Sequence, residues 1–78
     1  MENVEIYNKA FIESFGITED KLFGLKYQDI MEWDSVGHMG LMAALEEAFN
    51  IEMEIDDIID FSSYQKGKEI LVKYKIIF

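Results

Sequence analysis

The stretch from Ser35 to Phe49 constrains the fold more than any other part of this chain. Met39 and the run Leu41 to Ala48 are strong helix formers, Asp34 and Ser35 offer capping side chains ahead of them, and Asn50 supplies a terminator. A helix of this length in a chain of 78 residues leaves room for two or three more short ones, in a single domain spanning residues 1–78. A domain this small buries only about 60% of its unfolded surface, so the core is thin and a deep catalytic cleft is not expected. There is no proline, so glycine does most of the punctuating.

The other elements follow from spacing. Val4, Tyr7, Phe11 and Phe15 recur at intervals of three and four and predict a first helix over residues 3–15, closed by Gly16 with Ile17 folding back on it. A long connection runs from there through Trp33. Thr18, Glu19 and Asp20 can start a single helical turn within it, and Leu22, Phe23, Leu25 and Ile30 are the expected anchors to the core. A loop this long in so small a domain is uncommon and often functional. Residues 51–55 alternate apolar and acidic with period two, but no second strand is available to pair with them, so they read as an extended linker. Asp56 and Asp57 open a short third helix carrying Ile58, Ile59 and Phe61. Ser62 with Gln65 makes a capping box for a fourth, which buries Ile70, Leu71 and Tyr74. The apolar tail from Val72 to Phe78 has no clear state. The expected fold is an all-α four-helix bundle, three helices longer and the third short, with a long loop between the first two.

Charge and composition remove several functions. Sixteen acids face seven lysines, for a net charge of −9. Seven of the acids lie between Glu46 and Asp60 with no base among them. Such a field repels phosphate backbones, which argues against nucleic-acid binding, and attracts proteins that present basic patches. The same run also serves simply as a solvated face. With no cysteine there is no disulfide framework, thiolate metal site or thiol nucleophile. No apolar stretch is long enough for a membrane span, and no secretory signal opens the chain, so a cytoplasmic monomer is expected.

Projected at about 100° per residue, the second helix shows two apolar arcs. Leu41, Met42, Leu45 and Phe49 form the core arc, with His38 and Ala48 at its edges. Val36, Met39, Gly40 and Ala43, bordered by Glu46 and Glu47, form the other. Exposed single apolar residues need no explanation. A contiguous arc ringed by carboxylates also suits docking into a basic groove on a partner. Ser35 carries a similar pair of readings. Serine caps helices everywhere, yet the start of a helix also stabilises a phosphate ester and exposes the hydroxyl to a modifying enzyme.

The run Trp33-Asp34-Ser35-Val36-Gly37-His38-Met39-Gly40-Leu41, continuing to Leu45-Glu46-Glu47-Ala48-Phe49, resembles the signature of acyl carrier proteins, with Asp-Ser-hydrophobe opening the second helix and Leu-Glu-Glu-x-Phe ending it. Length, acidity, the long first loop, Ile51 to Ile55 and the Ser-Ser-Tyr start of the fourth helix match in order and spacing, so the resemblance covers nearly the whole chain. It implies a 4′-phosphopantetheine arm, taken from coenzyme A, joined to Ser35 beside Asp34 and ending in a thiol that holds acyl groups as thioesters. It further implies three kinds of partner: a phosphopantetheinyl transferase, and acyl-loading and acyl-accepting enzymes with basic docking patches. The chain itself would then be a carrier and not an enzyme. In this family the acyl chain can slip between the second and third helices; the lining expected here is His38, Leu41, Met42 and Leu45 facing Ile58, Ile59 and Phe61.

The departures are Val36 where the family usually has leucine, and Gly37 and Gly40 where it commonly has acids. They favour a specialised carrier over one serving housekeeping fatty-acid synthesis. An aminoacyl carrier is the nearest variant. An acidic helical interaction module without a prosthetic group is the alternative from another class. A Ser-His-Asp hydrolase from Asp34, Ser35 and His38 fails, because neighbours on one helical turn do not converge as a triad. A calcium loop at Asp56, Asp57 and Asp60 lacks the twelve-residue pattern with its central glycine, and no metal site is expected.

Overall fold

The first helix, α1, spans Asn3–Phe15 and ends as its sequence predicts: Gly16 adopts a left-handed conformation (φ 65°) and its N–H donates to the Ile12 carbonyl at 2.8 Å. In the computed structural model, which describes residues 1–78, α2 follows at Ser35–Phe49, α3 at Ile55–Asp60 and α4 at Tyr64–Val72. A single 3₁₀ turn at Glu19–Lys21 sits where Thr18 and its acidic neighbours were expected to start one. There are no strands, and residues 51–54 form the extended linker. The molecule is a small all-α helical bundle with three longer helices and one short one. No helix is long and apolar enough to cross a membrane.

The core is aromatic. Trp33 and Phe11, both fully buried, meet edge to face at 5.5 Å between ring centroids, and Tyr7 and Phe15 extend the stack on either side of Phe11. Tyr7 donates to the Tyr64 carbonyl at 2.7 Å, and burial pushes its hydroxyl's acidity well below that of an ordinary tyrosine. Gly67 permits this approach of α4, since a Cβ there would lie 2.2 Å from both the Tyr7 hydroxyl and the Phe61 ring.

Three expectations are corrected. Phe23 does not anchor the loop: it is 84% exposed, while Leu22 and Leu25 are buried and Trp33 is the dominant anchor. The cap of α4 is Ser63 and not Ser62; its Oγ accepts from Lys66 N–H at 2.9 Å. The reason is distant in sequence. Tyr27 N–H donates to the Ser62 carbonyl and Tyr64 N–H to the Leu25 carbonyl, so the long loop grips residues 62–64 and fixes their register. Tyr74, expected on the buried face of the fourth helix, lies beyond the end of α4 at Val72 and is only half-buried. The tail, whose state was open, folds back: Ile76 is buried, Phe78 packs edge to face on Tyr7 at 5.1 Å, and Asn3 donates to the Ile77 carbonyl.

Candidate functional site

Asp34 caps α2. Its Oδ1 accepts from Gly37 N–H at 2.8 Å and its carbonyl accepts from His38 N–H at 2.7 Å. Ser35 is therefore released from capping. It occupies the first helical position, exposed, and its hydroxyl makes no hydrogen bond to the rest of the chain. The loop ahead of it is firmly built: Trp33 N–H donates to the Ile30 carbonyl, Gln28 N–H to the Trp33 carbonyl, and Asp29 Oδ2 accepts from Lys26 N–H. The Glu32 carbonyl presses so closely on α2 that a Cβ at residue 37 would lie 1.9 Å from it. Gly37, a departure from the acyl-carrier pattern, is thus demanded by packing, whereas Gly40 faces open space.

A groove of about 350 Å³ opens beside Ser35, lined by Tyr27, Ser35, His38, Met39, Ile58, Ile59, Phe61 and Ser62. It brings together four of the seven residues expected to line an acyl pocket: His38, Ile58, Ile59 and Phe61. The other three, Leu41, Met42 and Leu45, are at most 1% exposed and line no cavity; they are core. Met39, assigned to docking, lines the groove as well as being 55% exposed. Tyr27 and Ser62 were not foreseen. A depression of about 390 Å³ between α1 and α2 is slightly larger, but it holds neither serine nor histidine.

His38 forms the groove's inner wall. Its Nδ1 accepts from Trp33 Nε1–H at 2.9 Å, and its Nε2 lies 2.7 Å from the Ile58 carbonyl. An indole only donates and a carbonyl only accepts, so these partners select the neutral ring with its proton on Nε2. Both nitrogens are committed, and neither reaches Ser35 as a base.

Of the expected docking residues, Val36 is 79% exposed, and Gly40, Ala43 and Glu47 are also at the surface. Glu46 is the exception. It is half-buried and its Oε2 accepts from Met53 N–H at 2.8 Å, holding the linker against α2. The apolar surface extends onto α3 through Ile55 and Ile59, which are 74% and 72% exposed. Alternation in residues 51–55 concealed Ile55, which the helix turns outward.

No protein-family model matches the chain, and no curated protein or solved structure does either.

Among the acids of α3, Asp56 and Asp60 face solvent but Asp57 is buried. Lys73 Nζ and the Tyr74 hydroxyl each donate to its carboxylate at 2.6 Å. The hydrogen bond from Lys73, then that from Tyr74, hold the Asp57 carboxyl below the usual carboxylate range against the opposing effect of burial. The same bond raises the Lys73 ammonium, while burial and then the bond to Asp57 raise the Tyr74 hydroxyl. No three histidine, aspartate or glutamate side chains converge on a common point.

Proposed function

We propose that this chain is an acyl carrier, primed on Ser35 with 4′-phosphopantetheine and shuttling acyl groups between partner enzymes in the cytoplasm as a monomer. The observation that carries the reading is the division of labour at the start of α2: Asp34 caps the helix, leaving Ser35 exposed, unbonded and at the mouth of a groove. A serine that merely capped would have its oxygen on a backbone N–H.

Ser35 fits the group it would hold. In priming, its hydroxyl oxygen bonds the phosphorus of coenzyme A that bears pantetheine. The pyrophosphate P–O bond breaks, adenosine 3′,5′-bisphosphate leaves with the electron pair, and the hydroxyl proton passes to a base on the transferase. The arm supplies a thiol, which this cysteine-free chain lacks. Unpaired N–H groups in the first turn of α2 favour the negative phosphodiester. Asp34 acts by fixing that turn through Gly37. Val36, Met39 and the α3 isoleucines, flanked by Glu47, Asp56 and Asp60, suit apolar contact with a partner rimmed by basic residues. The glycine forced at position 37 lowers the charge next to Ser35, which supports service to specialised enzymes.

Incubation with coenzyme A and a broad-specificity phosphopantetheinyl transferase tests this. Intact mass should rise by one phosphopantetheine in the wild type and not in Ser35→Ala. An unmodified wild type would instead favour the interaction module, which needs the apolar surface but no arm.

A further inference from the structure

The inner wall of the groove bears on the class of cargo. A chain entering the bundle from Ser35 must pass His38, one helical turn further along the same face of α2. There the imidazole spans from Trp33 to the Ile58 carbonyl, linking the loop, α2 and α3. Tyr27, Trp33 and Phe61 surround it with ring centroids 5.5, 6.2 and 6.1 Å away, so it is both bonded and wedged. The Ile58 carbonyl belongs to the last turn of a six-residue helix and has no backbone partner of its own, so His38 satisfies it.

Parting α2 from α3 at this point breaks the His38–Ile58 bond, while Trp33, which immediately precedes α2, stays with His38 and holds its ring in place. It strands the Ile58 carbonyl and the imidazole Nε2–H, neither of which a hydrocarbon chain can satisfy. Behind the bridge Leu41, Met42 and Leu45 are already close-packed. The outer groove, by contrast, offers the Ser62 and Tyr27 side chains beside Ile58 and Ile59.

Resting on the reading of Ser35 as the attachment point, we infer that the Trp33–His38–Ile58 bridge bars the core to cargo, and that the carrier serves short acyl groups held in the outer groove and not long chains sequestered between α2 and α3. His38 is a specificity-determining residue in this scheme, acting by exclusion.

The test loads the full chain from acetyl- and octanoyl-coenzyme A with the same transferase. It then measures thioester cleavage by hydroxylamine and the methyl NMR signals of Leu41, Met42 and Leu45. A chain held in the core nine-tenths of the time would be cleaved about tenfold more slowly, since only the exposed fraction reacts. The expected result is equal cleavage of the two wild-type thioesters, with core methyl signals unmoved by octanoyl. In Trp33→Phe, which keeps a ring but loses the indole donor, and in His38→Ala, octanoyl cleavage should slow relative to acetyl and the core signals shift. Slow octanoyl cleavage with shifted core signals in the wild type overturns the inference while leaving Ser35 as the carrier site. Failure of both groups to load overturns the attachment itself, and the cargo inference with it.

Discussion

α1 turns Tyr7, Ala10, Phe11 and Phe15 into the core, whereas the only buried residue of α3 is a carboxylate, Asp57. The two helices border the same interior, yet one is held by buried hydrocarbon, while the other packs only Ile58 partly against the core and is tied by polar links at its flanks. On one side His38 reaches the Ile58 carbonyl; on the other Lys73 and Tyr74 hold Asp57, and Tyr74 also accepts from Glu54 N–H at 2.9 Å. A six-residue helix has no stability of its own. The contrast teaches where adaptability can reside: directional bonds fix α3 in one position but can be broken singly, without opening the aromatic core.

The largest expected effect lies on the α1 side. Phe11→Ala should cost about 3–5 kcal/mol in denaturant unfolding, against a total of about 4–12 kcal/mol for a chain of 78 residues. A loss below about 1 kcal/mol would break the contrast, because it would mean the aromatic core is not where stability is concentrated. Next comes His38→Ala, expected to cost about 1–3 kcal/mol by leaving Trp33 Nε1–H and the Ile58 carbonyl unpaired. Hydrogen exchange should rise in residues 55–60 well before it rises in α1; uniform acceleration would show that the bridge serves the whole bundle.

Asp34→Ala removes the cap of α2 and should cost about 1 kcal/mol, with fraying confined to residues 35–38. The Asp57 cluster gives a pH dependence. Its carboxyl titrates lower in the folded state than unfolded, so its contribution is present above the unfolded value of about 3.9 and is lost as the pH falls through the lower folded one. Lys73→Met removes the principal cause of that lowering. Protection of the α3 amides should then fail at a higher pH in the variant during an acid titration followed by NMR; coincident curves would deny the cluster its role. The smallest effect belongs to Ile59→Ala, whose side chain is largely exposed: stability should change by no more than about 0.5 kcal/mol. On the proposed carrier reading, binding to the transferase that primes Ser35 should weaken all the same.

The same division describes what the sequence makes legible. α1, α2, the turn at Gly16 and the stop at Asn50 are local consequences of periodicity, propensity and capping, and each lies where those rules put it. Choices that depend on distant contacts do not show. Ser62 and Ser63 are equivalent as caps until the loop at Leu25 and Tyr27 selects between them. Phe23 and Trp33 are both aromatic residues in an aperiodic loop, with nothing local to say which turns inward. Asp57 is indistinguishable from its acidic neighbours until Lys73 and Tyr74, sixteen and seventeen residues on, close over it. At the site, Ser35 stood out by position. The helical projection set His38 correctly at the edge of the core, but its commitment to Trp33 and Ile58 needed the tertiary fold. Leu41, Met42 and Leu45 likewise resolve as core and not lining only once the helices are packed.

The proposed carrier activity depends on the hydroxyl of Ser35. Fragmentation mass spectrometry of the protein after priming with coenzyme A addresses it most directly, because it locates the added group among the chain's serines. The prediction is a single phosphopantetheine on Ser35, one new free thiol per chain, and none of either in Ser35→Ala. A wild-type chain that stays unmodified, or that carries the group at Ser14, Ser62 or Ser63, would contradict it.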